Sequence, residues 1–188
     1  MVMESPLDQV PGASHNHSLP QQGGVEGAER DLGLRIAADG TWFYQGTSIQ
    51  RLELVKLFAS VLRREADGYW LVTPVERGRI AVEDAPFVAV ELAQAGLGAT
   101  QTLRLRTNLD EWVTIGPAHP VRLGRPSGVV ADSGPAPYVE VRGGLEARVA
   151  RSVYYELINL AEEQLVDGRL LVGVRSEGQF FALHDPDG

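Results

Sequence analysis

Asp67-Gly68-Tyr69-Trp70-Leu71-Val72-Thr73-Pro74-Val75-Glu76-Arg77-Gly78-Arg79-Ile80-Ala81-Val82 and, one hundred residues on, Asp167-Gly168-Arg169-Leu170-Leu171-Val172-Gly173-Val174-Arg175-Ser176-Glu177-Gly178-Gln179-Phe180-Phe181-Ala182-Leu183 decide the fold. Each stretch opens on an Asp-Gly turn. Each continues as an apolar strand, Tyr69 to Val72 or Leu170 to Val174. A second glycine turn follows, Arg77-Gly78 or Glu177-Gly178, and then a returning strand, Ile80 to Val82 or Phe180 to Leu183.

The likeness extends upstream. Trp42-Phe43-Tyr44 and Gly46 precede a helical pattern from about Ile49 to Arg64, with Ile49, Leu52, Val55, Phe58, Val61 and Leu62 on one stripe. Thr47-x-x-Gln50 resembles a capping box, in which hydroxyl and amide satisfy free backbone N–H groups. In the second copy Tyr138 to Val141 reads as a strand and Gly143-Gly144 as the break. A helix over Leu145 to about Leu165 is expected, with Leu145, Val149, Val153, Leu157 and Leu160 as its stripe. Gly46 matches Gly143 and Arg51 matches Arg148 at a spacing of 97, so the second helix is expected to be about one turn longer. The shared order of strand, glycine, helix, Asp-Gly and hairpin points to an internal duplication.

Between the copies, Phe87 to Leu92, Leu103 to Arg106 and Trp112 to Ile115 alternate as short strands. Arg125 to Pro137 is rich in Pro, Gly and Ser and reads as a connecting loop. The expectation is an α+β, strand-rich fold of two related substructures packed together, with two main helices. It divides into an acidic tail (1–30), an N-terminal lobe holding the first repeat and extra strands (31–124), a linker (125–137) and a C-terminal lobe (138–188).

With 188 residues the chain needs no covalent staple to build a core. It has no cysteine, which excludes a disulfide scaffold, thiolate metal sites and a cysteine nucleophile. The net charge of −8 argues against a phosphate-tracking nucleic-acid binder. Half of that charge lies in the tail, on Glu4, Asp8, Glu26 and Glu29. The tail has too little apolar content to offset ordering entropy and is expected to be disordered; its His15 and His17 read as incidental. It lacks the basic and apolar regions of a secretory signal, and no stretch reaches the length of a membrane span, so a cytoplasmic protein is expected.

Motifs of known chemistry are sparse. There is no Gly-x-Ser-x-Gly elbow and no Walker loop. Gly96-Leu97-Gly98 lacks a third glycine and reads as a hairpin loop. Lys56, the single lysine, reads as a snorkelling side chain at the edge of the first helix. His119 and His184 read as turn or surface residues. Three polar groupings remain as candidates. Glu83-Asp84 stands before Ala85-Pro86. Arg106-Thr107-Asn108 closes a strand. Arg142 and Arg148 surround the Gly143-Gly144 break, where a helix start would attract an anion. Each also has a plainer reading: backbone capping by Asp84, turn closure by Thr107 and Asn108, and intra-helix pairing by Arg148.

Asp39-Gly40-Thr41-Trp42-Phe43-Tyr44-x-Gly46, Leu71-Val72-Thr73-Pro74-Val75-Glu76, Val82-Glu83-Asp84-Ala85-Pro86-Phe87, Arg106-Thr107-Asn108 with Trp112-Val113, and Pro137-Tyr138-Val139-Glu140-Val141-Arg142-x-Gly144-Leu145-Glu146-Ala147-Arg148 form an ordered set of blocks. Over about residues 31–185 this set resembles the bacterial family catalogued as domain of unknown function 1285. The resemblance implies a bacterial, cytosolic protein with two related α+β substructures. A signalling role has been suggested for the family, and the resemblance carries over no reaction, cofactor or catalytic residue.

Two functional classes follow. The favoured one is a non-enzymatic binding module that takes a small ligand or a partner protein in a cleft between the repeats. Glu83, Asp84, Arg106, Thr107, Asn108, Arg142 and Arg148 are its candidate contacts. The other is a hydrolase-type enzyme that would bring Glu83 or Asp84 against His119 or Asn108. No catalytic residue, metal or cofactor is assigned. Neither nucleic acid nor membrane is expected as a partner, and the oligomeric state is left open, a homodimer included.

Overall fold

The computed structural model describes residues 30–127 and 134–184. Apart from Arg30, the expected tail and its two histidines lie outside them.

The first half is one six-stranded sheet with a helix. β1 (Arg30–Ile36) lies at its centre. It pairs antiparallel with β2 (Trp42–Tyr44), which pairs with β3 (Thr47–Ser48). The helix α1 (Leu52–Ser60) then leads into the meander β4 (Leu62–Glu65), β5 (Gly68–Val72) and β6 (Arg77–Val82). β6 returns to lie parallel to β1, so the sheet order is β3-β2-β1-β6-β5-β4.

The second half begins with β7 (Phe87–Ala95), β8 (Thr102–Thr107) and β9 (Trp112–Thr114), an antiparallel run. β10 (Val121–Gly124), β11 (Ala136–Arg142) and β12 (Leu145–Val149) form a second run, and β12 lies parallel to β7. The resulting sheet is β10-β11-β12-β7-β8-β9. α2 (Arg151–Asn159) leads into a separate three-stranded sheet, β13 (Glu162–Val166), β14 (Arg169–Ser176) and β15 (Gln179–His184). The fold is therefore α+β and strand-rich, with two helices and two similar six-stranded sheets.

The duplication is visible as hairpin, helix and three-strand meander in both halves. Gln45 and Gly46 at the first hairpin, and Gly143 and Gly144 at the second, all have positive φ. Two consecutive residues of this kind make the turn whose twist matches that of the flanking strands. The copies differ from the sequence reading at several points. Arg77-Gly78, read as a turn, lies inside β6, and the first meander turns at Thr73–Glu76. Gly143-Gly144 turns a hairpin and does not start a helix, because Leu145–Val149 is β12. The second helix begins at Arg151 and, at nine residues, is the same length as the first. The offset grows from 98 at the hairpin turns to 99 at the helices and 100 at the meanders, by one residue on each side of the helix. The capping box does not form either: Thr47 sits in β3, Arg51 is the N-cap residue, and Gln50 Nε2 donates to Ser48 Oγ at 2.7 Å.

Strands β7–β9, grouped with the first repeat in the sequence reading, belong to the second sheet. β7 pairs with the hairpin strand β12 and carries β8 and β9 with it. In the first half the returning strand β6 pairs with β1. In the second half the matching strand β15 lies beside β10 without pairing with it, so the meander β13–β15 forms its own sheet. It docks through the β14–β15 turn onto β8: Leu103 N donates to the buried Ser176 hydroxyl (3.0 Å), Gln101 Nε2 to Arg175 O (2.7 Å) and Glu177 N to Gln101 O (3.0 Å).

One apolar core runs through both halves. It includes Ile36, Trp42 and Leu62 from the first, and Phe87, Leu105, Val139, Val149, Val153 and Leu157 from the second. The buried Val153 and Leu157 hold α2 against β7 and β14. Among the described residues no helix is long and apolar enough to cross a membrane.

Gly173 lies at the irregularity in the β14–β15 pairing. A Cβ there would fall well inside contact distance of the Phe181 carbonyl oxygen and the Phe180 ring. Gly173→Ala is therefore expected to cost about 1–3 kcal/mol through overpacking, read as a lower urea midpoint. An unchanged midpoint would contradict the tight β14–β15 approach.

Candidate functional site

The candidate residues gather at the seam between the two sheets, where most of them hold backbone. Asp84, the second residue of the four-residue link from β6 to β7, is nearly inaccessible, with its side chain 3% exposed. Its Oδ1 accepts from the Tyr138 hydroxyl (2.8 Å) and from Ser127 N (3.0 Å). Its Oδ2 lies 2.9 Å from Arg148 Nε. Neither Oδ2 nor Nε reaches hydrogen-bond geometry with any group, so their contact is an ion pair without an aligned N–H. Tyr138 and Arg148 are cross-strand neighbours on β11 and β12, which places both groups over one carboxylate.

Three side chains of the second half cap carbonyls of the first. Arg148 Nη2 donates to Ala38 O at 2.9 Å, Arg142 Nη2 to Ala59 O at 2.9 Å, and Asn108 Nδ2 to Gly40 O at 3.3 Å. These carbonyls sit in the β1–β2 turn and at the end of α1. They are free because the chain there leaves its ladder or helix, and an unpaired carbonyl at a seam needs a donor. Arg142 also pairs with Glu111 and stands over the Phe87 ring at 5.1 Å. Asn108 Oδ1 accepts from Val88 N at 3.0 Å, so its amide is used at both ends.

The other candidates are local. Glu83 pairs with Arg35 and accepts from Ala38 N at 3.0 Å, holding the same turn from the other side. Thr107, fully buried, accepts from Leu109 N and Glu111 N and closes the β8–β9 turn. Arg106 bonds Glu91 (2.7 Å) and Asp110 (2.8 Å), and Asp110 is also met by Lys56 of α1 at 2.8 Å. Bonds from Lys56 and Arg106 hold the Asp110 carboxyl below the usual carboxylate range. His119 Nδ1 lies 3.0 Å from Glu140 O. Among the described residues it shares no hydrogen bond with Glu83 or Asp84, and neither does Asn108. Nor do three or more His, Asp or Glu side chains draw together as metal ligands among those residues.

Three hollows bear on binding. The first, about 570 Å³, opens between α1 and the first sheet. Its walls are apolar (Leu32, Leu34, Ile49, Leu54, Phe58), and Arg30, Asp31 and Glu76 stand at its rim. The second, about 450 Å³, lies at the seam beside Lys56, Asp110, Glu111 and Arg142, whose charges are already paired. The third, about 490 Å³, is lined by Arg148, Arg151, Tyr154, Tyr155, Val149 and the proline-rich strand and loop residues Pro126, Pro135 and Pro137. Among the described residues no carboxylate lines it. Arg151 has no hydrogen-bond or ion-pair partner among the described residues. Sequence reasoning passed over Arg151, Tyr154 and Tyr155 because it placed them mid-helix. The signal was Arg148-x-x-Arg151 followed by Tyr154-Tyr155.

Two family models match in tandem: the DUF1285 N-terminal domain, described as a domain of unknown function, over residues 27–85, and the DUF1285 C-terminal domain, of a protein of unknown function, over residues 86–183. This chain belongs to the DUF1285 family. A crystal structure of a DUF1285 family protein from Silicibacter pomeroyi DSS-3 is 44% identical with a TM-score of 0.75, covering 84% of this chain and 82% of that one. Another, from Shewanella baltica OS155, is 31% identical with a TM-score of 0.52, covering 68% of this chain and 91% of that one. No curated protein matches. The boundary between the two DUF1285 domains falls between Ala85 and Pro86, one residue beyond Asp84 and at the seam between the sheets.

The seam yields two predictions. Asp84→Ala strands a largely buried guanidinium, a tyrosine hydroxyl and an amide, and is expected to cost about 3 kcal/mol. Arg30→Ala, which breaks the exposed pair with Glu76, is expected to cost under about 1 kcal/mol. Urea denaturation compares them; equal costs would contradict the buried clasp. Burial, and then the bond to Asp84, push the Tyr138 hydroxyl well above the ordinary tyrosine value. A raised folded value means this contribution is complete below pH about 10, where unfolded tyrosine titrates, and fades as pH rises further. Tyr138→Phe is expected to be less stable at neutral pH and to lose less stability above pH 10 than the natural chain. Parallel stability–pH curves would contradict the assignment.

Proposed function

We propose that this DUF1285 protein is a non-enzymatic binding module that holds a small anionic ligand in the pocket lined by Arg148 and Arg151. The observation that carries this reading is the double engagement of Arg148. Its side chain lines the pocket and also grips Asp84 and Ala38 of the first domain. An anion drawn to this guanidinium competes with Asp84 for it and bears directly on the seam. Binding then has differential contact with the joined and loosened seam, which a ligand needs in order to shift a conformational equilibrium. In this reading Arg148 touches the ligand. Asp84, Asn108 and Arg142, with Glu83, Arg106 and Thr107 behind them, set the geometry of the seam that the ligand acts on.

The sign of the pocket supports this. The protein carries a net charge of −8, yet among the described residues this hollow is lined by two guanidinium groups and no carboxylate. A local field opposite to the global one favours an anion there while the acidic surface repels it elsewhere. α2 also begins at the pocket, with Arg151 as its first residue, and its N-cap residue Ala150 supplies no side-chain cap. The hydrolase alternative draws on no comparable feature, since the oxygens of Asp84 and the Nδ1 of His119 are occupied by Tyr138, Ser127, Arg148 and Glu140.

Thermal unfolding of the full chain with pyrophosphate tests the reading. At a hundredfold excess over Kd, binding to the folded state alone is expected to raise Tm by roughly 5–10 °C. Arg151→Ala is expected to abolish the rise, while Arg51→Ala, remote from the pocket lining, keeps it. No rise in the natural chain, or an equal rise in Arg151→Ala, would overturn the proposal.

A further inference from the structure

Beyond its charge, the Arg148–Arg151 pocket has a second chemical character. Tyr154 and Tyr155 are consecutive on α2, with ring centroids 6.0 Å apart and planes tilted by 47°. Tyr155 is 55% exposed, although it lines a concavity. Pro126, Pro135 and Pro137 line it as well and add apolar surface without N–H donors. A bare inorganic ion would meet the guanidinium groups and leave this aromatic and proline surface wet. Apolar and aromatic surface gives binding energy only when a ligand covers it.

We infer that the pocket takes a ligand in which a planar ring is joined to an anionic group. The inference rests on the anion-binding reading above and adds the ring. The guanidinium groups of Arg148 and Arg151 receive the anionic end, and the ring packs on Tyr155. The volume of about 490 Å³ suits this size, since small-molecule sites run from about 300 to 1,000 Å³. The other two hollows lack the combination. The groove beside α1 has an apolar wall, but its Arg30 is answered by Glu76 and neighboured by Asp31. The hollow at the seam has its cations already paired and Phe87 covered by Arg142. Only the Arg148–Arg151 hollow, among these three, joins an unpaired cation to an uncovered aromatic face.

Two kinds of small molecule share this chemistry, a nucleoside monophosphate and a simple aromatic acid. Isothermal titration of the full chain with adenosine 5′-monophosphate, phenyl phosphate, benzoate, ribose 5-phosphate, adenosine and inorganic phosphate separates them. At least one ring-bearing anion is expected to bind about tenfold more tightly than ribose 5-phosphate and inorganic phosphate, a gain typical of stacking on an aromatic side chain. Adenosine, which has the ring without the charge, is expected to bind at least tenfold more weakly than that anion. Tyr155→Ala removes the advantage of the ring and Tyr155→Phe keeps it. Tyr155 is exposed, so both variants are expected to fold, which circular dichroism checks.

A preference for adenosine 5′-monophosphate over phenyl phosphate and benzoate assigns the nucleotide class, and the reverse assigns the aromatic acid. Ringless anions that bind as tightly as ring-bearing ones, with dependence on Arg151, would overturn this inference and leave the anion reading standing. Ring-bearing anions whose affinity is unmoved by Tyr155→Ala would also overturn it. Failure of every anion to bind would overturn both.

Discussion

The structure depends on one carboxylate held between two domains. Asp84 is nearly sealed from water, and a sealed carboxylate is tolerable only where donors replace its lost hydration. Three groups of the second domain meet it: the Tyr138 hydroxyl, the Ser127 amide and the Arg148 guanidinium. A buried pair of this kind adds little net stability compared with apolar packing, but removing one partner is expensive. Its effect is therefore geometric. The two sheets can sit together in the arrangement that satisfies Asp84, and a displaced arrangement leaves a charge uncovered. The carbonyls of Ala38, Gly40 and Ala59 impose the same condition, since each is capped from across the seam by Arg148, Asn108 or Arg142.

The duplication explains why such a clasp is needed. Each half has a hairpin, a helix and a meander, and in the first half these suffice to close a sheet, because β6 comes back to β1. In the second half β15 lies beside β10 without pairing, so the meander is a small sheet of its own, and β7, arriving directly from the Asp84 link, pairs with β12 on the other side of the hairpin. The link between the domains is thus short and leads straight into a central strand. With so little slack, the orientation of β7 relative to β6 decides the position of the whole second sheet. Asp84 lies in that link.

Much of this was legible in the residues. Arg77-Gly78, read as a turn, lies inside β6, and the first meander turns at Thr73–Glu76 instead. The Asp-Gly pairs at spacing 100 did locate the start of both meanders, and Glu177-Gly178 the second turn of the later one, because such turns favour a positive φ that few residues accept. Asp167, Gly168, Glu177 and Gly178 all adopt it. The error at β12 has an equally physical source. Leu145 and Val149 are four apart, and an interval of four fits both a helical stripe and one face of a strand. Ala147 breaks the tie. It is fully buried, which fits the alternating burial of β12, but alanine carries no strand signal of its own. The failed capping box has a similar cause: Thr47 and Gln50 have the right types and spacing, but Thr47 is spent in pairing with Tyr44.

The candidate site was legible as a set and not as a set of roles. Arg142, Arg148, Asn108 and Asp84 lie along one seam, but Arg142 and Arg148 line different hollows and Asp84 and Asn108 line neither of them. Nothing in a linear sequence separates a guanidinium that caps a carbonyl 110 residues away from one that awaits a phosphate, because both need the same five donors on the same planar fork. The distinction lies in the accounting of partners. Arg35, Arg106, Arg142 and Arg148 each face a carboxylate, and the pairing consumes their charge. Among the described residues Arg151 does not, although carboxylates outnumber cations in this chain by 25 to 17. An arginine unanswered among those residues, beside a concavity to which they bring no carboxylate, on the helix that follows the strand bearing the clasp, concentrates positive potential at the point where it can bear on the seam. The argument for binding there rests on that imbalance of charge.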